Sequence, residues 1–120
     1  MSAPHAWRGL SADRKAHKYG AKPQRIDGLY FASQAEARRY AHLVLSERAG
    51  IISDLDRQVR FPLVINGVKI GTYVADATYT NVATGYRVVE DVKGAVTPVY
   101  RIKRALMKAL HNIEIYEVRA

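Results

Sequence analysis

An α/β fold with the element order α-β-β-β-α-β, a mixed sheet flanked by helices, is predicted by three features of the sequence. Two segments have helical periodicity, three alternating runs lie between them, and one more alternating run closes the chain. At 120 residues and 13.4 kDa the chain can bury one core but not two. Residues 1–25 carry Arg8, Arg14, Lys15, Lys18, Lys22 and Arg25 against Asp13 alone, with little hydrophobic periodicity. They are expected to form a flexible basic arm ahead of a single domain at 26–120.

Each element has a local reason. Ser33 precedes "QAEARRYAHLVLSERA" with Glu36 three residues on, the capping-box spacing, and Gly50 follows as a left-handed stop, predicting a helix over 34–49. Ala37, Ala41, Val44 and Leu45 form its expected buried stripe, and Glu36, Tyr40, Leu43 and Glu47 share a neighbouring face. Alternation around Asn66 and Gly67 predicts a type I′ hairpin joining strands over 58–65 and 68–79, with Pro62 marking the first as an edge. A second turn near 81–85 leads into "YRVVEDVKG", ended by Gly94. Thr97 and Pro98 open a second helix, in which Val99, Ile102, Leu106 and Leu110 form the expected core stripe and Arg101, Arg104 and Lys108 a basic one. "NIEIYEV" then alternates as a strand, which a right-handed crossover would lay beside the third.

Composition narrows the function. No apolar run reaches membrane-spanning length, and residues 1–10 lack the apolar core of a secretion signal, so an intracellular protein with no membrane partner is expected. Without cysteine, and with His5, His17, His42 and His111 scattered, no structural zinc site is expected. Nineteen Lys and Arg against eleven Asp and Glu give a net charge of +8, which favours a polyanionic partner such as nucleic acid.

Against that basic background, "YVADATYTNVATGYRVVEDVKG" sets Asp76, Glu90, Asp91 and Lys93 in apolar strands. Around the second turn Asp76 lies opposite Asp91 or, one residue out of step, Glu90. The first register is preferred: it gathers Asp76, Asp91 and Lys93 on one face. The same face carries Val59, Phe61, Leu63, Ile70 and Val74, and so is expected beneath the helices. Two carboxylates there need a cation, either Lys93 alone or a hard divalent metal. Taken alone, D-x-K is a common tripeptide and an ordinary ion pair explains it.

The order of the whole set resembles the PD-(D/E)xK nuclease superfamily: an acid in "FASQAEARRYAHL", an Asp in "YVADATY", then D-x-K in "VVEDVKG". With "GIISDLDRQVRFPL" and "YRIKRALMKAL", residues 18–118 resemble a small family of bacteriophage endonuclease-like proteins assigned to that superfamily. The resemblance implies a restriction-endonuclease-like core, with Asp76 and Asp91 as metal ligands, Lys93 as catalytic lysine and Glu36 completing the metal site. Glu36 is equally accounted for as the capping-box partner of Ser33. Gln58 occupies the family's glutamine position, although the Asn66–Gly67 register places it across the sheet from Asp76 unless a bulge intervenes. Glu90, pointing away from Lys93, is expected to be solvated or to support the site indirectly. The family's proline before the strand aspartate is replaced by Ala75, and its large apolar residue after it by Ala77.

The resemblance further implies a magnesium- or manganese-dependent DNA endonuclease, acting on branched DNA such as a Holliday junction as a homodimer, in the host cytoplasm if the source is a bacteriophage. Arg38, Arg39, Arg101, Lys103, Arg104 and Lys108, with Arg14, Lys15 and Lys18 of the arm, are the expected DNA contacts. Two competitors stand beside this: a non-catalytic basic nucleic-acid-binding module, and a protein that assembles through its edge strand.

Overall fold

The structure is a computed structural model and describes residues 24–26 and 28–120. Most of the expected arm, including Arg14, Lys15 and Lys18, lies outside the described residues, but Gln24 and Arg25 belong to a strand. Within the described residues the elements are β1 (Gln24–Ile26), β2 (Leu29–Phe31), α1 (Gln34–Arg48), β3 (Ile52–Ile65), β4 (Val68–Asn81), β5 (Arg87–Lys93), α2 (Pro98–His111) and β6 (Tyr116–Arg119). The predicted α-β-β-β-α-β order therefore holds from α1 onward, preceded by a β1–β2 hairpin that the periodicity did not reveal. Strands β3-β4-β5-β6 form one mixed sheet in that order, antiparallel except for the parallel β5–β6 pair. Pro62, which has no N–H to donate, is on edge strand β3.

Both helices start at the expected caps. The Ser33 hydroxyl accepts from the Glu36 N–H at 3.1 Å, and the Thr97 hydroxyl from the Tyr100 N–H at 3.1 Å. Their buried faces differ from the expected stripes. In α1, Ala37 and Leu43 are buried, Val44 is half-buried, and Ala41 and Leu45 face outward, Leu45 with 61% of its surface exposed. Tyr40 packs on Phe31 with ring centroids 5.4 Å apart, and Arg39 is tied to β5, so the helix is rotated toward the face of Glu36, Tyr40 and Leu43. Ala41, Val44 and Leu45 instead line a groove of about 260 Å³ with Leu29 and Phe31. In α2, Tyr100 and Met107 are buried, whereas Val99 and Ile102 are 62% and 61% exposed. Tyr100 faces inward because polar and aromatic partners await it there, as described below.

A β-bulge corrects the expected register. The Asn66–Gly67 turn has left-handed φ at both residues, 50° and 79°, as a type I′ hairpin requires. Pairing starts at Ile65↔Val68 and Val64↔Lys69, then jumps to Leu63↔Gly71, leaving Ile70 as an extra residue on β4. A one-residue slip exchanges the faces of a strand. Val59, Phe61 and Leu63 thus share a face with Ala75, Tyr73 and Gly71, not with Val74 and Asp76, and Ile70 is exposed.

The core divides at Asp76. Tyr73 and Ala75 pack with Leu63, Val89, Tyr100 and Met107, whereas Ala77 and Tyr79 pack with Leu43 and Ile52. Beside this division, on β3, Gln58 has a left-handed φ of 57°. Asp76 therefore sits where β4 passes from the α2 core to the α1 core.

Candidate functional site

The β4–β5 ladder runs from Thr80↔Arg87 to Ala77↔Glu90 and stops. One further step in that register sets Asp76 level with Asp91, the expected alignment. There the Val92 N–H donates to Asp76 Oδ2 at 2.8 Å, so a side chain takes a backbone donor at the point where the strands part. The Asp76 and Asp91 carboxyl groups are close enough for each to act on the other's electrostatics. Burial and a like charge this close together disfavour the ionised form of Asp76.

Asp91 is 4% exposed. The Tyr73 hydroxyl donates to its Oδ2 at 2.7 Å, and the Lys93 ammonium lies 3.2 Å from the same oxygen. Lys93 also stands 3.7 Å from the centroid of the Tyr100 ring. Tyr100 in turn donates its hydroxyl to Glu117 on β6 at 2.6 Å, and Arg104 donates to the same Glu117 oxygen at 2.7 Å. These two donors hold the Glu117 carboxyl below the usual range, the tyrosine first.

Glu36, in the first turn of α1, joins this group while its N–H serves the cap. Burial first, and then the charge of Asp91, pushes its carboxyl up to about 7, against opposing effects of a hydrogen bond at Ala32 and of Arg57 and Lys93. Asp76 is half-buried. Burial, followed by the charges of Asp91 and Glu36, raises it well above the ordinary carboxyl range. The Tyr73 hydroxyl is pushed up by burial and then by Asp91, so it stays a donor.

Glu36, Asp76, Asp91 and Lys93 are thus brought together from α1, β4 and β5. Gln58 joins them in register: the bulge at Ile70 shifts it level with Asp76, between the Arg57↔Ala77 and Val59↔Ala75 pairs. Glu90 corrects the expectation of a solvated group, since it is 0% exposed on the other side of β5. It accepts from Arg39 at 2.7 and 3.0 Å and from the Tyr79 hydroxyl at 2.7 Å. Arg39, expected on DNA, is consequently committed to the interior, and Arg104 is committed to Glu117. Arg38, Arg101 and Lys108 are exposed, whereas Lys103 is half-buried.

The residues that sequence reasoning missed are aromatic or distant. By alternation Tyr73 falls on the strand face opposite Val74 and Asp76, Tyr100 outside the expected stripe of α2, and Glu117 in an alternating strand. Arg57 sits 4.4 Å from the Phe31 ring centroid and donates to the Tyr30 carbonyl at 2.7 Å, which places its charge near Glu36. The only advance signal was that each aromatic has a polar tip which needs a partner when buried.

Among the described residues, no group of three His, Asp or Glu side chains is arranged to hold a metal ion. The donor chemistry fits a hard cation that keeps most of its waters and takes one or two carboxylates, since Asp76 and Asp91 are neighbouring acids whose mutual repulsion such an ion would relieve. It does not fit an ion requiring three protein ligands. No helix of the described residues is long and apolar enough to cross a membrane.

A family described as a protein of unknown function, DUF1064, matches residues 16–118. The chain belongs to this family. The match contains Glu36, Asp76, Asp91, Lys93 and both tyrosines of the site. Neither the curated proteins nor the solved structures contain a match to the chain.

Proposed function

We propose that this DUF1064 chain is a metal-dependent DNA endonuclease that hydrolyses phosphodiester bonds with magnesium or manganese. The observation that carries the reading is the meeting of Asp76 and Asp91, with Glu36 and Lys93 beside them, where the β4–β5 ladder ends. Asp76 and Asp91 would hold the ion, with the Glu36 carboxyl beside them and outside its direct protein ligands. When bound, a divalent ion supplies Lewis-acid polarisation of the phosphodiester and lowers the pKa of a bound water. The protein's own groups do the rest. Tyr73 fixes the rotamer of Asp91, and the Val92 N–H fixes that of Asp76. The Lys93 ammonium stands ready to stabilise negative charge developing on a phosphate oxygen. Branched DNA is the favoured substrate, as the resemblance to bacteriophage endonuclease-like proteins implies. Cutting two strands needs two sites, hence a homodimer, for which exposed Val99 and Ile102 offer an apolar face.

The test is incubation with linear, nicked, single-stranded and four-way-junction DNA, with and without magnesium. Asp76→Asn, Asp91→Asn and Lys93→Ala should each reduce cutting by about 100-fold or more, with DNA binding largely retained. Binding by the parent chain with no magnesium-dependent cutting on any substrate would leave the non-catalytic nucleic-acid-binding module in its place.

A further inference from the structure

We infer that Tyr100 is a positioning residue for Lys93: the face of its ring seats the ammonium against Asp91, and Glu117 and Arg104 lock the ring. This rests on the nuclease reading. A lysine side chain has four rotatable bonds, and one exposed ion pair rarely holds it in a single place. Lys93 has two fixed contacts, Asp91 Oδ2 at 3.2 Å and the Tyr100 ring centroid at 3.7 Å. The second is a cation–π contact, attractive because the ring face is electron-rich.

The ring is itself held on several sides. It is buried, 6.4 Å by centroid from the Tyr73 ring, and its hydroxyl is anchored 2.6 Å from Glu117. The Arg104 guanidinium completes the anchor at 2.7 Å from Glu117 and lies 5.5 Å from the same ring. Strand register makes this possible. β6 runs parallel to β5 with Asp91↔Glu117 and Lys93↔Arg119 level, so Glu117 comes up beside the catalytic strand where Tyr100 descends from α2. The path from Arg104 through Glu117 and Tyr100 to Lys93 joins the second helix and the last strand to the reacting end of β5. Tyr100 touches no substrate in this scheme. It limits where the ammonium can be.

The experiment pairs NMR with kinetics on the full chain. The ring current of Tyr100 should shift the Lys93 ε-methylene signals upfield in the parent chain. Tyr100→Phe, which keeps the ring but loses the hydroxyl anchor to Glu117, should retain a weakened upfield shift and lose less of kcat than removal of the ring. Tyr100→Leu should abolish the shift and lower kcat about tenfold, with KM changed far less. Because Tyr100 is a core residue, Glu117→Gln provides a variant that spares the core; it should weaken the upfield shift and lower kcat in the same direction. Lys93 ε signals at ordinary positions in the parent chain would overturn the inference whether or not the chain cuts DNA. So would parental kcat in a folded Tyr100→Leu. If instead the upfield shift is present but no Lys93-dependent cutting occurs, the endonuclease reading fails, and the catalytic role of Tyr100 fails with it.

Discussion

Glu36 shows how one residue serves two purposes, one through its backbone and one through its side chain. Its N–H completes the cap of α1 with Ser33, while its carboxyl turns toward Asp91 and is pushed up to about 7, mainly by burial. The capping-box spacing that made it ambiguous in the sequence describes only the first purpose. A pH dependence follows, and its sign can be derived. An unfolded Glu releases its proton near pH ~4.3, whereas folded Glu36 keeps it to about 7. Between those values the native state binds more protons than the unfolded chain, so stability is highest at the acid end of the window and falls as pH rises through it. Without added metal, urea midpoints should decrease from pH 5 to pH 7.5, and Glu36→Gln should flatten that trend. A midpoint that rises with pH over the window and is unaffected by Glu36→Gln would contradict the assignment. Neighbouring Asp76, raised in the same direction, reinforces it.

The helices were legible as elements but not in their orientation. Ser33, Thr97, Pro98 and the flanking Gly50 mark through local geometry where α1 begins and ends and where α2 begins, which a sequence displays directly, while the left-handed Asn112 that closes α2 emerged from the structure. Which face turns inward depends on partners far along the chain. For α1 the decisive contact is Arg39 with Glu90, 51 residues apart, with the Tyr79 hydroxyl completing the carboxylate's shell. Burial and then the bond to Glu90 raise Tyr79, the Glu90 bond raises Arg39 still further from neutrality, and Arg39 and Glu90 form an ion pair inside the fold. Removing one partner leaves an uncompensated buried charge. Arg39→Ala should therefore destabilise by about 3 kcal/mol in denaturant unfolding, more than the exposed Arg38→Ala. Equal effects at the two neighbouring arginines would mean that the pair does not anchor α1. The bulge at Ile70 is the strand counterpart: nothing in "NGVKIGTY" marks the extra residue, yet it decides which side of the sheet Tyr73 occupies.

For the whole molecule, a net charge of +8 was visible from composition, and the structure sorts its members. Arg39 and Arg104 neutralise interior or neighbouring carboxylates, whereas Arg38, Arg101 and Lys108 face outward. DNA affinity should fall steeply with salt, and Arg101→Ala or Lys108→Ala should each reduce the slope of log K against log salt by about 1 if that residue meets a phosphate. Arg104→Ala should leave the slope unchanged, since its charge is spent on Glu117. Identical slopes for all three variants would move the polyanion surface away from α2.

The residues alone determined the element order from α1 onward, the caps, the type I′ turn and the set of acids with one lysine. Each is a matter of short-range sterics, periodicity or residue type. Three-dimensional packing alone decided which helix faces are buried, that Glu90 and Arg39 belong to the interior, and that Tyr73 and Tyr100 bracket Asp91 and Lys93. Those outcomes depend on one bulge and on pairs separated by tens of residues, where burial makes a polar group accept whichever partner the closed chain brings within reach.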